Sequence, residues 1–423
     1  MIISCKDRVV ELNVEAPPSK SIYHRELIVR FLRYGVIGAP KDGDSDDIVA
    51  TKACLNALAC AREGDTVVLP CNESGSTLRF MISVACCYLA SKGLADKVTL
   101  KASTAGRLIE RPLKELSDAL EPHGITLTKD MDTREVIISG VITPGEFFID
   151  GSVSSQYISG LLMGLPLFAN KSVVHVVGGV KSVHYIELTQ AVMSKYGCDA
   201  LREGDDYYPA PAGYNSDVKA DFRVEGDWSN GAFLLCLGAL LTGGGILVDG
   251  LNTESVQGDM AILKYLEAIG INYRLSTHVI DVRGQLKARK ALEERLEVVF
   301  DCSDIPDIAP YMAVMAAFFT KKTVLTGIGR LRIKESDRAA ATCEQLSAIG
   351  VKTETTEDTM TIYGINNENI NSVTLSSYHD HRMAMCAIMI AAGLGCDVDI
   401  DEINCVNKSF PELQEIVRRE MMP

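Results

Sequence analysis

Three short cationic clusters stand out in a chain whose acidic side chains outnumber its basic ones. The formal net charge at pH 7 is -14, so basic residues gathered beside Ser and Asp are not general solubilising charge. Arginine forks and lysine ammonium groups bind phosphate and carboxylate through charge-assisted hydrogen bonds. The clusters therefore predict a ligand with several negative groups. They are Lys20-Ser21 with Arg25, Lys334-Glu335 with Arg338, and Asp380-His381-Arg382.

Other polar residues stand at turns that lead into apolar runs. At such positions a hydroxyl, amide or glycine either caps a helix or helps to bind an anion at its positive end, and the sequence leaves both alternatives open. For Arg107 and Arg111, which flank Leu108-Ile109-Glu110, the structural alternative is an ion pair with Glu110. The remaining candidates are Gly75, Arg79, Ser154, Ser155, Gln156, Ser182, Tyr185 and Lys408.

Asp307 stands at the head of an apolar run, where a carboxylate either caps a helix or serves as a general base. Lys334 and Arg338 have the i, i+4 spacing that would place both on one side of a helix start; a solvated charged face is the alternative. The two histidines beside Asp380 have no third His or Cys nearby, and Arg382 would repel a cation. No metal site is therefore predicted.

The elements that must position these residues recur along the chain. Amphipathic segments end at Gly124, Gly197, Gly270 and Gly350, which predicts helices closed by left-handed glycines. A second set of helices, apolar on nearly all sides, should be buried. Short runs of β-branched residues between them predict strands. The repeat favours closed, symmetric lobes with buried inner helices over an open array.

Composition excludes several classes of protein. A length of 423 residues predicts two domains. The acidic pI near 5.1 argues against a nucleic-acid partner, and no basic amphipathic helix or membrane-length apolar run is present. The 13 cysteines contain no C-x-x-C pair and read as reduced residues, not as a disulfide framework. A cytoplasmic protein is expected.

Taken together, the motifs closely resemble the 5-enolpyruvylshikimate-3-phosphate synthase family of enolpyruvyl transferases. They occur in the family's order from residue 17 to residue 411: PPSKS with HR, GSTLR, ERPL, SSQY, S-x-x-Y, IPD, IKESDR, HDHRMAM and NKSFP. The resemblance implies an α/β (α+β) inside-out barrel of two lobes, each of three βαβαββ units with sheets outside, and substrates bound where the lobes close. One lobe would be residues 18–225 and the other 1–17 plus 226–423.

The implied reaction moves the enolpyruvyl group of phosphoenolpyruvate to the 5-hydroxyl of shikimate 3-phosphate and releases phosphate, without metal or organic cofactor, in a monomer. Lys20 and Glu335 are candidate acids and Asp307 the candidate base. Motif matches assign shikimate 3-phosphate contacts to Lys20, Ser21, Arg25, Ser154, Ser155, Gln156, Ser182, Tyr185, Asp307, Arg330 and Lys334. They assign phosphoenolpyruvate contacts to Lys20, Gly75, Arg79, Arg111, Gln156, Arg338, Arg382 and Lys408.

This chain departs from the family's pattern at two places. Glu73-Ser74-Gly75-Ser76-Thr77 stands where relatives commonly read Asn-Ala-Gly-Thr-Ala, which leaves sensitivity to the analogue glyphosate open, and Arg330 replaces an Asn of some relatives. Two alternatives remain. One is UDP-N-acetylglucosamine enolpyruvyl transferase, although its reactive Cys is missing from the corresponding loop, 102–111. The other is a non-catalytic, anion-binding repeat scaffold.

Overall fold

The computed structural model describes residues 1–5, 9–39, 41, 43–215, 218, 220–276, 278–286, 296–366 and 370–422. The chain forms two compact units. The N-terminal unit is Lys20–Val224, and the composite unit combines Met1–Ser19 with Glu225–Pro423. The sequence placed these divisions at 17/18 and 225/226; the assignment of substrates to each lobe stays a prediction. None of the helices in the described ranges has the length and apolar character needed to cross a membrane.

The N-terminal unit alternates helices and strands. Its described helices are α1 (Lys20–Tyr34), α2 (Asp46–Cys60), α3 (Gly75–Ser91), α4 (Lys114–Leu120), α5 (Ser155–Gly164) and α6 (Val183–Lys195). Its described strands are β3 (Thr66–Asn72), β4 (Thr99–Thr104), β5 (Ile125–Asp130), β6 (Glu135–Gly140), β7 (Glu146–Asp150), β8 (Val173–Val177), β9 (Ala200–Glu203) and β10 (Asp206–Pro209). Strands β1 (Ile2–Ser4) and β2 (Val10–Glu15) precede this unit in the chain.

The two sheets of the N-terminal unit share one topology. Their strand orders are β3-β4-β6-β5 and β7-β8-β10-β9, and in each the first pair is parallel and the others antiparallel. The helices between the strands supply the crossovers that parallel pairs require. Helices α3 and α5 pack closely because Gly160 has no side chain; a Cβ there would lie 3.0 Å from the carbonyl oxygen of Arg79.

The composite unit repeats this plan. Its described helices are α7 (Trp228–Leu240), α8 (Ile262–Ala268), α9 (Ala309–Phe319), α10 (Arg338–Ala348), α11 (His381–Leu394) and α12 (Leu413–Glu420). Its further described strands are β11 (Gly244–Asp249), β12 (Arg274–Leu275), β13 (Val279–Arg283), β14 (Leu296–Asp301), β15 (Thr320–Thr326), β16 (Thr353–Thr355), β17 (Thr359–Tyr363), β18 (Ser372–Leu375) and β19 (Asp397–Ile400).

The N-terminal strands complete two sheets of the composite unit. Strand β2 runs parallel to β11 in the order β12-β13-β11-β2, and β1 pairs antiparallel with β19 in the order β1-β19-β18. The third sheet has the order β14-β15-β17-β16. The start of the chain is therefore fastened to its C-terminal half, so the composite unit is assembled from two separate stretches of sequence.

The predicted helix pattern is confirmed. Gly124, Gly197, Gly270 and Gly350 all have positive φ, between 71° and 89°, at the ends of amphipathic helices. Helices α7 and α9 are buried along almost their whole length, and α3, α5 and α11 nearly so, which matches their uniformly apolar sequences. The side chains of Ser74, Ser154, Asp227 and Asp380 cap α3, α5, α7 and α11.

Candidate active site

In the N-terminal unit, Lys20 is the first residue of α1 and forms an ion pair with Asp47. Its Nζ lies 2.8 Å from Oδ2 of Asp47, which is in the first turn of α2. The Lys20 side chain is 18% exposed and that of Asp47 only 5%. The carboxylate therefore fixes the direction of the ammonium group while leaving part of it accessible.

Arg25 is buried and joins α1 to α6. Its guanidinium group donates hydrogen bonds to the carbonyl oxygens of Ser21 (2.6 Å) and Tyr185 (2.9 Å) and to the hydroxyl of Thr189 (2.7 Å). Burial lowers the pKa of Arg25 to about 10. The structure thus brings Ser21, Arg25 and Tyr185 together, as predicted for one binding region, with Arg25 as the residue that fixes the other two.

Arg79 and Gln156 are paired at the starts of α3 and α5. Nη1 of Arg79 donates to Oε1 of Gln156 at 2.8 Å, and Nε2 of Gln156 donates to the Ser76 hydroxyl at 2.8 Å. The Ser154 hydroxyl accepts from the backbone N–H of Gln156, and Ser155 is buried beside it. Ser154 therefore caps α5. Hydrogen bonds to its amide oxygen and from its amide nitrogen therefore fix the orientation of the Gln156 side chain.

Gly75 lies directly against the guanidinium group of Arg111. A Cβ atom at position 75 would be 2.5 Å from Nη1 of Arg111, so a larger residue would require this guanidinium group to shift. Arg107 instead forms an exposed ion pair with Glu110 at 3.2 Å, which is the structural alternative considered for these arginines. The two arginines of this loop thus have different surroundings.

Ser182 precedes α6 in a left-handed conformation, with φ 55° and ψ 54°, and is fully buried. A residue with a side chain pays a steric cost in this region of φ and ψ. Such strain persists only where surrounding structure holds it, and it concentrates at functional sites. The role of Ser182 in ligand binding stays a prediction.

In the composite unit, two cationic side chains form ion pairs with Asp307. Its Oδ1 lies 3.1 Å from Nζ of Lys334 and 2.8 Å from Nη1 of Arg338. Burial raises the pKa of Asp307, but the positive charges of Lys334, Arg338 and Arg382 outweigh it and hold the pKa well below its usual value. The carboxylate is therefore ionised at neutral pH.

The pKa of Lys334 is lowered as well, mainly by burial. Burial and the neighbouring Arg338 and Arg330 lower its pKa to about 8, although Asp307 favours the charged form. Lys334 precedes α10, whose first residue is Arg338, so the prediction that both lie on one helix start is wrong. They meet at Asp307, to which both donate hydrogen bonds.

Arg338 is 1% exposed and is held by three carboxylates. Besides Asp307, it donates to Oε2 of Glu335 (2.7 Å) and from Nε to Oδ2 of Asp380 (2.8 Å). Glu335 also lies 3.5 Å from Nζ of Lys408. Such pairing satisfies the rule that a buried charge must be neutralised nearby.

Arg382 occupies a buried position at the start of α11. Its Nη1 donates to the hydroxyl of Tyr311 (2.8 Å) and to the carbonyl oxygen of Ser229 (3.2 Å). The Ser229 hydroxyl donates to Asp259, whose pKa is raised to about 7 by burial and by the charges of Asp307 and Asp227, against the effects of Ser229 and Arg382. Asp259 thus places a titratable carboxyl group within electrostatic range of Arg382.

Arg330 lies in a short 3-10 helix, Gly329–Ile333. Its guanidinium group donates to the carbonyl oxygen of Ser303 at 2.7 Å. It also lies close enough to Lys334 for its charge to lower the lysine pKa. The departure from the family's Asn therefore adds a cation beside Lys334. Its predicted contact with shikimate 3-phosphate stays a prediction.

Sequence reasoning missed the carboxylates that orient the cations. Asp47 was not singled out because two consecutive acidic residues at a helix start read as ordinary N-terminal charge. Asp380 belongs to a cationic cluster, but nothing local indicates that it pairs with Arg338, and Asp259 and Tyr311 have no local signal. In the described part of the chain, no group of three or more His, Cys, Asp or Glu side chains is arranged to hold a metal ion.

Comparison with known proteins gives one consistent result. The family described as EPSP synthase (3-phosphoshikimate 1-carboxyvinyltransferase) matches residues 6–417. A 3-phosphoshikimate 1-carboxyvinyltransferase of Clostridium kluyveri is 32% identical over 432 residues, covering 98% of this chain and 96% of that protein. The protein of the same name from Paraburkholderia phytofirmans is 33% identical over 426 residues, covering 95% of each.

Solved structures support the fold. EPSP synthase from Acinetobacter baumannii matches with a TM-score of 0.71 at 19% identity, covering 99% of this chain and 98% of that one. The enolpyruvyl transferase NikO from Streptomyces tendae matches with a TM-score of 0.72 at 13% identity, covering 100% and 99%. At these identities the likeness concerns the fold alone. The predicted two-lobed α/β class is confirmed.

Proposed function

The chain belongs to the EPSP synthase family and transfers the enolpyruvyl group of phosphoenolpyruvate to the 5-hydroxyl of shikimate 3-phosphate; from this premise we propose which side chains perform each step. The observation that carries the proposal is the ionised carboxylate of Asp307, held by Lys334 and Arg338. A general base must be unprotonated and held in a fixed direction, and Asp307 meets both conditions.

The transfer is an addition followed by an elimination. Asp307 accepts the proton of the 5-hydroxyl as its oxygen bonds to the central carbon of phosphoenolpyruvate, while an acid delivers a proton to the methylene carbon. A tetrahedral intermediate with a methyl group results. Loss of a methyl proton and cleavage of the bond to the phosphate oxygen then restore the double bond and release phosphate. The proton lost from the methyl group offsets the one that the acid delivered, and the hydroxyl proton taken up by Asp307 leaves with the released phosphate, so the steps balance.

Lys20 and Glu335, the candidate acids, are proposed to move protons at the methylene carbon, with the acid role exchanged for a base role in the elimination. Lys20 is oriented by Asp47 and remains 18% exposed, so its ammonium group can reach a ligand. Glu335 lies 2.7 Å from Arg338 and 3.5 Å from Lys408. This arrangement fits Lys20 as the proton donor in the addition and Glu335 as the group that receives a proton in the elimination.

The remaining cations and polar groups are assigned to binding. For shikimate 3-phosphate we propose Lys20, Ser21, Arg25, Ser154, Ser155, Gln156, Ser182, Tyr185, Asp307, Arg330 and Lys334. For phosphoenolpyruvate we propose Lys20, Gly75, Arg79, Arg111, Gln156, Arg338, Arg382 and Lys408. Many of these residues, including Lys20, Gly75, Arg338 and Arg382, stand at the starts of helices, where the backbone dipole also favours an anion.

A phosphate-release assay tests the function and the roles together. Purified protein with phosphoenolpyruvate should release phosphate when shikimate 3-phosphate is the acceptor and not when UDP-N-acetylglucosamine is. Lys20→Met and Asp307→Ala should each lower kcat by at least about a hundredfold, and full activity in either would remove that residue's role. Calorimetric binding of shikimate 3-phosphate without phosphate release would favour the scaffold alternative.

The cytoplasmic location and the monomeric state stay predictions from the sequence. Light scattering of the purified protein gives its mass in solution, for comparison with 45.9 kDa for one chain. A mass twice that value would contradict the monomer. Fractionation of the source cells tests the location.

A further inference from the structure

Lys129 occupies an unusual position for a lysine. It lies on strand β5, where alternate residues face opposite sides of the sheet. Its side chain therefore points to the same side as Ile125, which is buried, and Leu127, which packs against the core. Lysine is rarely placed on a core-facing side, because moving its charge out of water is costly. A specific contact must therefore hold it there.

That contact is with the backbone of Arg111. Nζ of Lys129 donates a hydrogen bond to the carbonyl oxygen of Arg111 at 2.6 Å. Burial and the positive charge of Arg79 lower the pKa of Lys129. Lys129 is therefore close to both arginines that the proposed function assigns to phosphoenolpyruvate in this unit.

The segment at Arg111 and Pro112 is fastened from two sides. From β5, Lys129 donates a hydrogen bond to the carbonyl oxygen of Arg111. From α5, the Tyr157 hydroxyl donates a hydrogen bond to the carbonyl oxygen of Pro112 at 2.6 Å. The same segment presents the guanidinium group that lies against Gly75. Small displacements of such a loop would change where this group meets an anion.

We propose that Lys129 is a positioning residue for phosphoenolpyruvate binding: its ammonium group fixes the backbone of Arg111, and with it the guanidinium group that packs on Gly75. Lys129 also adds a third positive charge near Arg79 and Arg111. This inference rests on the proposed function, since it deepens the role given to those two arginines. It concerns the affinity for phosphoenolpyruvate and not the chemical step.

The test is a comparison of three variants by steady-state kinetics. Lys129→Met removes the hydrogen bond and the charge, and Lys129→Arg keeps both. Lys101→Met is the matched control, because Lys101 lies on strand β4 of the same sheet, separated from β5 by β6, and pairs with Glu135 at 3.0 Å. Thermal unfolding of each variant shows that it is folded. If Lys129→Met does not fold, Lys129→Gln replaces it, because glutamine removes the charge while keeping a polar donor.

For Lys129→Met we expect KM for phosphoenolpyruvate to rise about tenfold, the usual effect of losing one hydrogen bond to a charged group. KM for shikimate 3-phosphate and kcat should stay within about threefold, and Lys129→Arg should restore most of the affinity. Unchanged KM values, an equal rise for both substrates, or the same effect in Lys101→Met would overturn the proposal. Wild-type protein that releases no phosphate would instead refute the proposed function, so the two failures are distinguishable.

Discussion

The ammonium nitrogen of Lys334 lies 3.1 Å from Oδ1 of Asp307, and this pair ties a lysine of lowered pKa to a carboxylate of depressed pKa. Both residues are buried enough for their charges to depend on one another. At neutral pH the pair is therefore an ammonium and a carboxylate. When the pH rises, the lysine is the member that loses its charge.

The first prediction concerns pH. Because the pKa of Lys334 is lowered to about 8, its positive charge is present below pH 8 and lost as the pH rises through that value. If Lys334 binds the phosphate of shikimate 3-phosphate, KM for that substrate should rise by about tenfold above pH 8. Lys334→Arg, which stays charged, should show no such rise. The same alkaline rise in Lys334→Arg would assign the effect to another group.

Asp307→Asn tests the proposed base. The amide keeps the shape of the side chain but cannot accept a proton, so kcat should fall by about a hundredfold to ten thousandfold. Asp304→Asn is the matched control, because Asp304 is an exposed carboxylate three residues before Asp307. Steady-state kinetics with both substrates saturating give the comparison. A kcat in Asp307→Asn equal to that of the control would remove Asp307 from the chemical step.

Gly75→Ala tests the packing of Arg111. The new Cβ would lie 2.5 Å from Nη1 of Arg111, so the guanidinium group must move. KM for phosphoenolpyruvate should rise about tenfold or more, with KM for shikimate 3-phosphate little changed. Gly38→Ala is the matched control, because nothing lies within 4 Å of its Cβ position. Unchanged affinity in Gly75→Ala would show that Arg111 has room to adjust.

The raised pKa of Asp259 predicts that the stability of the protein depends on pH. Its pKa is about 7 in the folded protein, against an ordinary value of 3.8 for an aspartate in water, so the folded state binds more protons between these values. The free energy of unfolding should therefore contain a contribution that is complete below about pH 4 and is lost as the pH rises to 7. In Asp259→Asn, the free energy of unfolding, measured with denaturant, should decline less between pH 4 and pH 7 than in the wild type. An identical decline would exclude Asp259 as its source.

The sequence predicted the helices and most cations of the site because both leave local patterns. Terminal glycines mark helix ends, and clusters such as Lys20-Ser21 with Arg25 are visible within a few residues. The partners of these cations are not local: Asp47 pairs with Lys20 across 27 residues, and Asp380 with Arg338 across 42. Such pairs depend on how helices pack, which periodicity does not specify.

Local sequence patterns also failed to indicate two tertiary arrangements of the site. The i, i+4 spacing of Lys334 and Arg338 suggested one helical face, yet only Arg338 is helical, and Asp307 is what brings them together. Likewise, the local sequence around Gly75 gives no sign that the guanidinium group of Arg111 lies against its Cα. In both cases a side chain distant in sequence decides the role.

The most direct test of the mechanism is the reaction in D2O, followed by mass spectrometry of the product. Addition places a deuteron on the methylene carbon and makes a methyl group, so elimination should leave deuterium in the enolpyruvyl methylene of the product. Lys20→Met should slow its appearance together with phosphate release. Phosphate release at the wild-type rate with no deuterium in the product would contradict addition and elimination through a tetrahedral intermediate.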